Sequence, residues 1–159
     1  MKILLLLPRL GPNTNPPLGL GYVAAYLREN DVEAEILDPT FEDKDWVLRR
    51  LARTDYHVLG ISAYTMSFAL GLEFARFAKS RNKESKVVFG GVHPTIMAEE
   101  VIKDKDVDFV VVGEGEETTL ELLNALKNNM PLEEVRGLVF RKEKEIIRNP
   151  PRPLIGNLD

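Results

Sequence analysis

At 159 residues, the chain can bury one full hydrophobic core, and its 44% hydrophobic and 29% charged residues are the balance of a soluble globular domain. A net charge of −4 argues against a nucleic-acid footprint, which needs a basic stripe, and removes the electrostatic case for docking on anionic lipid. With no cysteine, this chain cannot build a disulfide, a zinc–thiolate site or an iron–sulfur cluster.

MKILLLLP opens the chain with an apolar run far short of the roughly 20 residues of a membrane span. It also lacks the small-residue cleavage site of a signal peptide. It is read as a buried first strand, Ile3 to Leu7, of a cytoplasmic protein. Leu18 to Arg28 repeats apolar residues at helical spacing, and Glu33 to Leu37 is short and extended, ended by Asp38-Pro39. Trp46 to Ala52 is helical, Val58 to Ser62 is a third strand, and Phe68 to Ala78 carries one apolar helix face. Lys86 to Phe89 is the fourth strand, Thr95 to Ile102 a helix behind Pro94, Phe109 to Val112 the fifth strand and Glu116 to Leu126 an amphipathic helix.

Apolar strands alternating with helices predict an α/β fold whose parallel sheet is covered on both faces. Five such units predict a doubly wound five-stranded sheet of flavodoxin-like, Rossmann-like type, with strand order 2-1-3-4-5, over residues 1–135. Residues 136–149, RGLVFRKEKEIIRN, read as a β-hairpin extension, and residues 150–159, rich in proline, as a linker. The chain is expected to continue past Asp159 into a further domain.

In open α/β sheets, ligands bind beyond the C-terminal ends of the strands. The first such loop, PRLGPNTNPPLGLG at residues 8–21, is much longer than the usual 2–6 or so residues. The third, fourth and fifth strands exit into SAYT (62–65), GGVHPT (90–95) and GEGEET (113–118). Small residues clear space there, and hydroxyls and bare amides supply hydrogen bonds. One such glycine loop would be no more than a tight turn; together they predict a cleft for something flat or bulky. The acidic loop after the second strand, DPTFED, lies towards an edge, where Asp38 is explained by strand termination alone.

Several ligand classes fail on residue type. The first loop lacks the G-x-G-x-x-G of a dinucleotide site, and Pro12, Pro16 and Pro17 remove amide donors from any phosphate cradle. GEGEET has a G-x-G, but its glutamates would repel a pyrophosphate. A P-loop is absent. A phospho-receiver needs acidic residues where Pro8-Arg9 and Ser62 stand.

PPLGLGYVAAYL, GISAYT, VVFGGVHPT and VDFVVVGEGEET, in this order, resemble the N-terminal cobalamin-binding domain of radical S-adenosylmethionine enzymes. The tail RGLVFR…IIRNPPRP…NLD resembles the passage into their catalytic domain, so the likeness spans essentially the whole chain. Such domains carry a D-x-H-x-x-G in the first loop, a serine after the third strand and a Gly-Gly after the fourth. Ser62 and Gly90-Gly91 match the last two, whereas residues 8–21 contain neither Asp nor His. The resemblance therefore implies vitamin B12 bound base-off, without a protein histidine on the metal.

It implies further that the detached dimethylbenzimidazole tail threads beside the central strands, where side chains at Gly90 and Gly91 would block it. Ser62 would bond a tail nitrogen, and Thr65 the tail or phosphate. Pro17, Leu18 and Gly19 would wall the corrin ring. Gly113 and Gly115 would pass under its edge, with Glu114 and Glu116 accepting from its amides. Val92, His93 and Thr118 complete the candidate cofactor contacts. For some of these a structural role stands beside the ligand role: His93 as a turn residue, Tyr64 as core or corrin border, and Glu116 to Thr119 as a helix cap. His57, at the start of a strand, is read as structural. No residue is assigned as a metal ligand or as catalytic.

The implied whole protein is a radical enzyme performing methyl transfer or a related radical rearrangement or ring closure. Its 4Fe–4S cluster and S-adenosylmethionine belong to a C-terminal domain, because the cluster needs cysteines that this chain lacks. The competing expectation is a domain that keeps the fold without cobalamin and serves substrate docking or domain packing.

Overall fold

The computed structural model describes residues 1–11 and 15–153. Pro12 and the stretch from residue 154 onward lie outside the described residues. The aliphatic runs form β1 (Lys2–Leu6), β2 (Glu33–Leu37), β3 (Val58–Ser62), β4 (Lys86–Gly90) and β5 (Phe109–Val111), neighbours in the order β2-β1-β3-β4-β5 and mutually parallel. Helices α1 (Leu18–Glu29), α2 (Lys44–Arg53), α3 (Phe68–Arg81), α4 (Val92–Ile96), α5 (Ala98–Val101) and α6 (Glu116–Asn128) connect and follow them.

Period-two alternation sorts the strand side chains into two cores. Leu4, Leu59, Ile61, Val87, Phe89 and Val110 pack with α2, α3 and α5. Ile3, Leu5, Val58, Val88, Phe109 and Val111 pack with α1 and α6. Because β1 is flanked by β2 on one side and β3 on the other, the strand order reverses between β1 and β3.

The sheet is larger than the five parallel strands expected. β6 (Leu138–Lys142) pairs antiparallel to β5, and β7 (Glu145–Arg148) antiparallel to β6, giving one seven-stranded mixed sheet. The hairpin thus continues the sheet. The physical reason is the unpaired edge that β5 would otherwise present, which LVF at residues 138–140 covers. Val139 joins one core, and Leu138 and Phe140 the other.

The helix after β4 also starts earlier than expected, at Val92. Gly91, at φ +91°, turns the chain straight into it, and Pro94 falls in the first turn, where a missing N–H costs nothing.

Asn149 ties the hairpin down. Its Nδ2 donates to the carbonyls of Leu132 and Val135, each at 2.7 Å, and the residue is buried. The Gly137 N–H donates to the Pro150 carbonyl at 2.9 Å, so the proline-rich stretch begins as a strap on the sheet. Replacing Asn149 with alanine removes both bonds and leaves the Leu132 carbonyl with only the Val135 N–H, at 3.1 Å. The expected cost is about 1–3 kcal/mol of unfolding free energy, read from urea titration of parent and variant.

Candidate functional site: a bare slot at the strand ends

The strand register decides which residues share a face. Leu5 pairs with Gly60 and Gly60 with Val88, while Ser62 pairs with Gly90. On the face beneath α1 and α6, two of these positions carry no side chain. A Cβ on Gly90 would meet nothing closer than Val111, at 3.9 Å. At Gly60 it would fall 2.7 Å from the Leu5 Cδ2, the movable end of a side chain.

The result is a cavity of about 260 Å³. Its floor is β3 and β4. Ile3, Leu5 and Val88 line the inner end and Val111 one flank. Gly19, Leu20 and Val23 contribute from α1, and Gly115, Glu116 and Thr119 from the start of α6. Ser62 stands at the strand exit. Glu116 Oε2 is buried and has no hydrogen-bond partner among the described residues.

Gly91 has a different job from Gly90. At φ +91° and ψ −170° it occupies a backbone region that side-chain-bearing residues avoid. A Cβ there would sit 2.7 Å from the Ser62 Oγ and 3.1 Å from the Ala63 nitrogen. This glycine is demanded by the protein's own backbone, and it lets the Ala63 N–H reach the Gly90 carbonyl at 2.9 Å.

Around the mouth, loops are pinned by polar contacts. Arg9, almost fully buried, donates from Nε to Asp38 Oδ1 at 2.8 Å and from Nη2 to the Asn15 carbonyl at 2.8 Å. Asp38 also accepts from Thr40 Oγ1 at 2.8 Å, so it does more than end its strand. The Gly113 N–H donates to Thr95 Oγ1 at 3.1 Å, tying the fifth loop to the fourth. Exposed apolar side chains gather at the same end: Leu10 after β1, Phe41 after β2, Tyr64 and Met66 after β3, and Val92 and Ile96 after β4.

Of the residues expected at a cofactor, Gly19, Ser62, Gly90, Gly91, Gly113, Glu114, Gly115 and Glu116 line the slot. Pro17, Leu18, Tyr64, Thr65 and Val92 do not line it, and Leu18, Tyr64, Thr65 and Val92 are exposed. His93 turns away from it: Nδ1 lies 3.2 Å from Thr65 Oγ1, and the ring packs on Phe68 with centroids 4.4 Å apart. Thr118 does not line the slot. Its side chain is fully buried against the hairpin, donating to the Arg136 carbonyl at 3.0 Å and accepting from Arg152 Nε at 3.1 Å. Thr119, one residue on, faces the slot instead. Gly60 was likewise not expected there, nor were the apolar lining residues Ile3, Leu5, Leu20, Val23, Ile61, Val88 and Val111. A glycine inside an otherwise aliphatic strand, VLGIS, is itself a signal of close approach. His57 accepts from the Lys2 N–H at 3.1 Å, at the opposite end of the sheet. Among the described residues, no group of three or more His, Asp or Glu is placed to hold a metal ion, and no helix is long and apolar enough to cross a membrane.

A doubly wound sheet with a deep slot at its switch-point end defines a class of small-molecule-binding α/β domains. The family model of the B12 binding domain matches residues 11–123, and the chain belongs to that family. It is 36% identical to an uncharacterized methyltransferase of Pyrococcus horikoshii, over 100% of this chain and 37% of the relative. It is 33% identical to the anaerobic magnesium-protoporphyrin IX monomethyl ester cyclase of Synechocystis sp., over 100% of this chain and 34% of the relative. The chain therefore spans about a third of these relatives. Among solved structures, the radical S-adenosylmethionine methyltransferase TsrM of Kitasatospora setae, with cobalamin and a 4Fe–4S cluster bound, superposes with a TM-score of 0.79 at 22% identity, over 99% of this chain and 30% of that one. The cobalamin-dependent S-adenosylmethionine radical enzyme OxsB with aqua-cobalamin bound gives 0.80 at 21% identity, over 96% and 22%. At these identities the likeness is one of fold.

The two adjacent glycines should respond differently to one methyl group. Gly91→Ala is expected to cost about 1–3 kcal/mol through backbone strain, whereas Gly90→Ala should melt close to the parent. Thermal unfolding of the two variants side by side checks this.

Proposed function

We propose that this chain is the cobalamin-binding module of a radical S-adenosylmethionine enzyme and binds the cofactor base-off, without a histidine on the cobalt. The observation that carries the reading is the slot: bare backbone at Gly60 and Gly90, opening beside Ser62 at the switch-point end of the sheet. A flat heterocycle of the nucleotide tail fits between sheet, α1 and α6, where added side chains would fill the space. Ser62 donates to the ring nitrogen that has left the cobalt. The apolar rim formed by Leu10, Tyr64, Met66 and Val92 suits the underside of a corrin. Pro17, Leu18 and Thr65 belong to the outer contact rather than to the slot.

Both histidines have other engagements, which supports cobalt without a protein imidazole. His57 is at the far end of the sheet, and His93 is turned onto Thr65 and Phe68. The bound cofactor would supply a cobalt centre able to carry a methyl group. This chain's own part is to hold the tail, seat the ring and leave its upper face towards a second domain. The cluster and S-adenosylmethionine belong outside these 159 residues, since the chain has no cysteine to hold the iron. The relatives' names, a methyltransferase and a cyclase, favour methyl transfer or a related radical reaction for the whole protein.

Hydroxocobalamin mixed with the purified chain should give a saturable change in its visible spectrum. Gly90→Leu should weaken that binding at least about 100-fold, as a blocked slot loses several kcal/mol of contact, while melting within a few degrees of the parent. Tight binding by that variant would place the ligand elsewhere, and no binding by the parent would leave an interaction module without cofactor.

The reduced Co(II) complex should show no nitrogen superhyperfine splitting, and His93→Ala should leave its electron paramagnetic resonance spectrum unchanged. A splitting that disappears in His93→Ala would assign that imidazole to the metal.

A further inference from the structure

We propose that the slot selects among cobamides by their lower base, accepting a benzimidazole and disfavouring a purine. The inference rests on the reading above that the nucleotide tail occupies the slot. Polarity is unevenly divided along it. The inner end is formed by Ile3, Leu5 and Val88, all buried, with Leu20 and Val23 covering it from α1. None of these side chains carries nitrogen or oxygen, and the amides and carbonyls of β1, β3 and β4 are committed to the ladder. The polar side chains stand nearer the mouth: Ser62 at the end of β3, Glu114 in the loop after β5, and Glu116 and Thr119 in the first turn of α6.

Glu116 sets the register. A carboxylate oxygen can only accept, and Oε2 is buried without a donor among the described residues. Leaving it so is costly, so a bound ligand is expected to bring the missing donor. On the nucleotide tail the ribose hydroxyls are donors, whereas a dimethylbenzimidazole ring carries none. With the sugar at Glu116 and the first ring nitrogen at Ser62, the outer edge of the base is carried in among Ile3, Leu5 and Val88. A dimethylbenzimidazole presents two methyl groups there, which that wall accommodates. Adenine, of similar size, presents an exocyclic amine and ring nitrogens that lose water and gain no partner. Shape alone would not separate the two bases; the unpaired polar edge does.

Three probes test this on the 159-residue chain, each titrated by visible spectroscopy and by calorimetry: hydroxocobalamin, its adenine-based counterpart, and cobinamide, which has no nucleotide. Hydroxocobalamin should bind tightest and the adenine cobamide at least about tenfold more weakly, as expected for one or two buried unpaired groups. Cobinamide should be weaker still. Glu116→Leu should weaken hydroxocobalamin by about tenfold or more and cobinamide, which lacks the ribose, by much less, and Glu116→Gln, which keeps an acceptor oxygen, should recover most of the loss. Equal affinity for the two bases would overturn the selectivity while leaving the cobalamin reading intact. A Glu116→Leu chain that binds hydroxocobalamin like the parent would overturn the register. If hydroxocobalamin itself does not bind, the underlying reading falls and this inference with it.

Discussion

The fold is organised around backbone from which side chains have been withheld. Protein interiors are packed to the density of organic crystals, so a face that gives up side chains at Gly60 and Gly90 forgoes contacts that its neighbours would otherwise make. Helices α1 and α6 do not close over the gap. They meet beyond it, and the space is left to something that is not part of the chain. Any ligand that fills it adds to folding stability by mass action, about 2.7 kcal/mol at a hundred times its dissociation constant. The stability of this domain and its occupancy are thus one problem, because the same glycines govern both.

Holding such a gap open puts the burden on its rim. The long first loop has few internal amides to organise it, because Pro16 and Pro17 donate none. Arg9 supplies the order instead, bridging Asp38 after β2 and the carbonyl of Asn15 within the loop. Gly91 fixes the fourth loop by steric exclusion, and Thr95 links it to the fifth. Each strand exit is thereby positioned by its neighbour. Where these contacts hold the described parts of the rim, a ligand would not have to pay the ordering entropy of those segments.

How much of this was legible in the sequence depended on whether a residue's partner was local. Unbroken aliphatic runs such as VLGIS and KVVFG can only be buried strands, and they fell where expected. Ser62, Gly90 and Gly91 were legible because a strand exit is a local event. Gly60 was not picked out, although stepping back two residues from Ser62 along a strand reaches the same face of the sheet. The hairpin was read as an appendage because its charged turn, KEKE, masked the apolar LVF that seals the β5 edge. Whether His93 faces a ligand or packs within its turn was not legible, because its partners Thr65 and Phe68 are distant in sequence.

Thr118 and Thr119 show the same limit on a helix, and they show what α6 is for. Successive helical residues are turned by about 100°, so Glu116 and Thr119 share one side of the first turn while Glu117, Thr118 and Glu121 share the opposite side. The first pair faces the slot. The second group grips the strap that follows the hairpin: Arg152, largely buried, donates to Thr118 and forms ion pairs with Glu117, at 2.6 Å, and with Glu121. Arg136 adds a bond to the Pro151 carbonyl at 3.1 Å. Because the Thr118 hydroxyl also donates to the Arg136 carbonyl, strap, hairpin and helix meet at one buried oxygen. A single rigid turn therefore reads the slot on one side and the path of the outgoing chain on the other. The sequence shows the acidic cluster GEGEETT but not this division, because only the tertiary position of Arg152 separates Glu117, which binds the strap, from Glu114 and Glu116, which line the cavity.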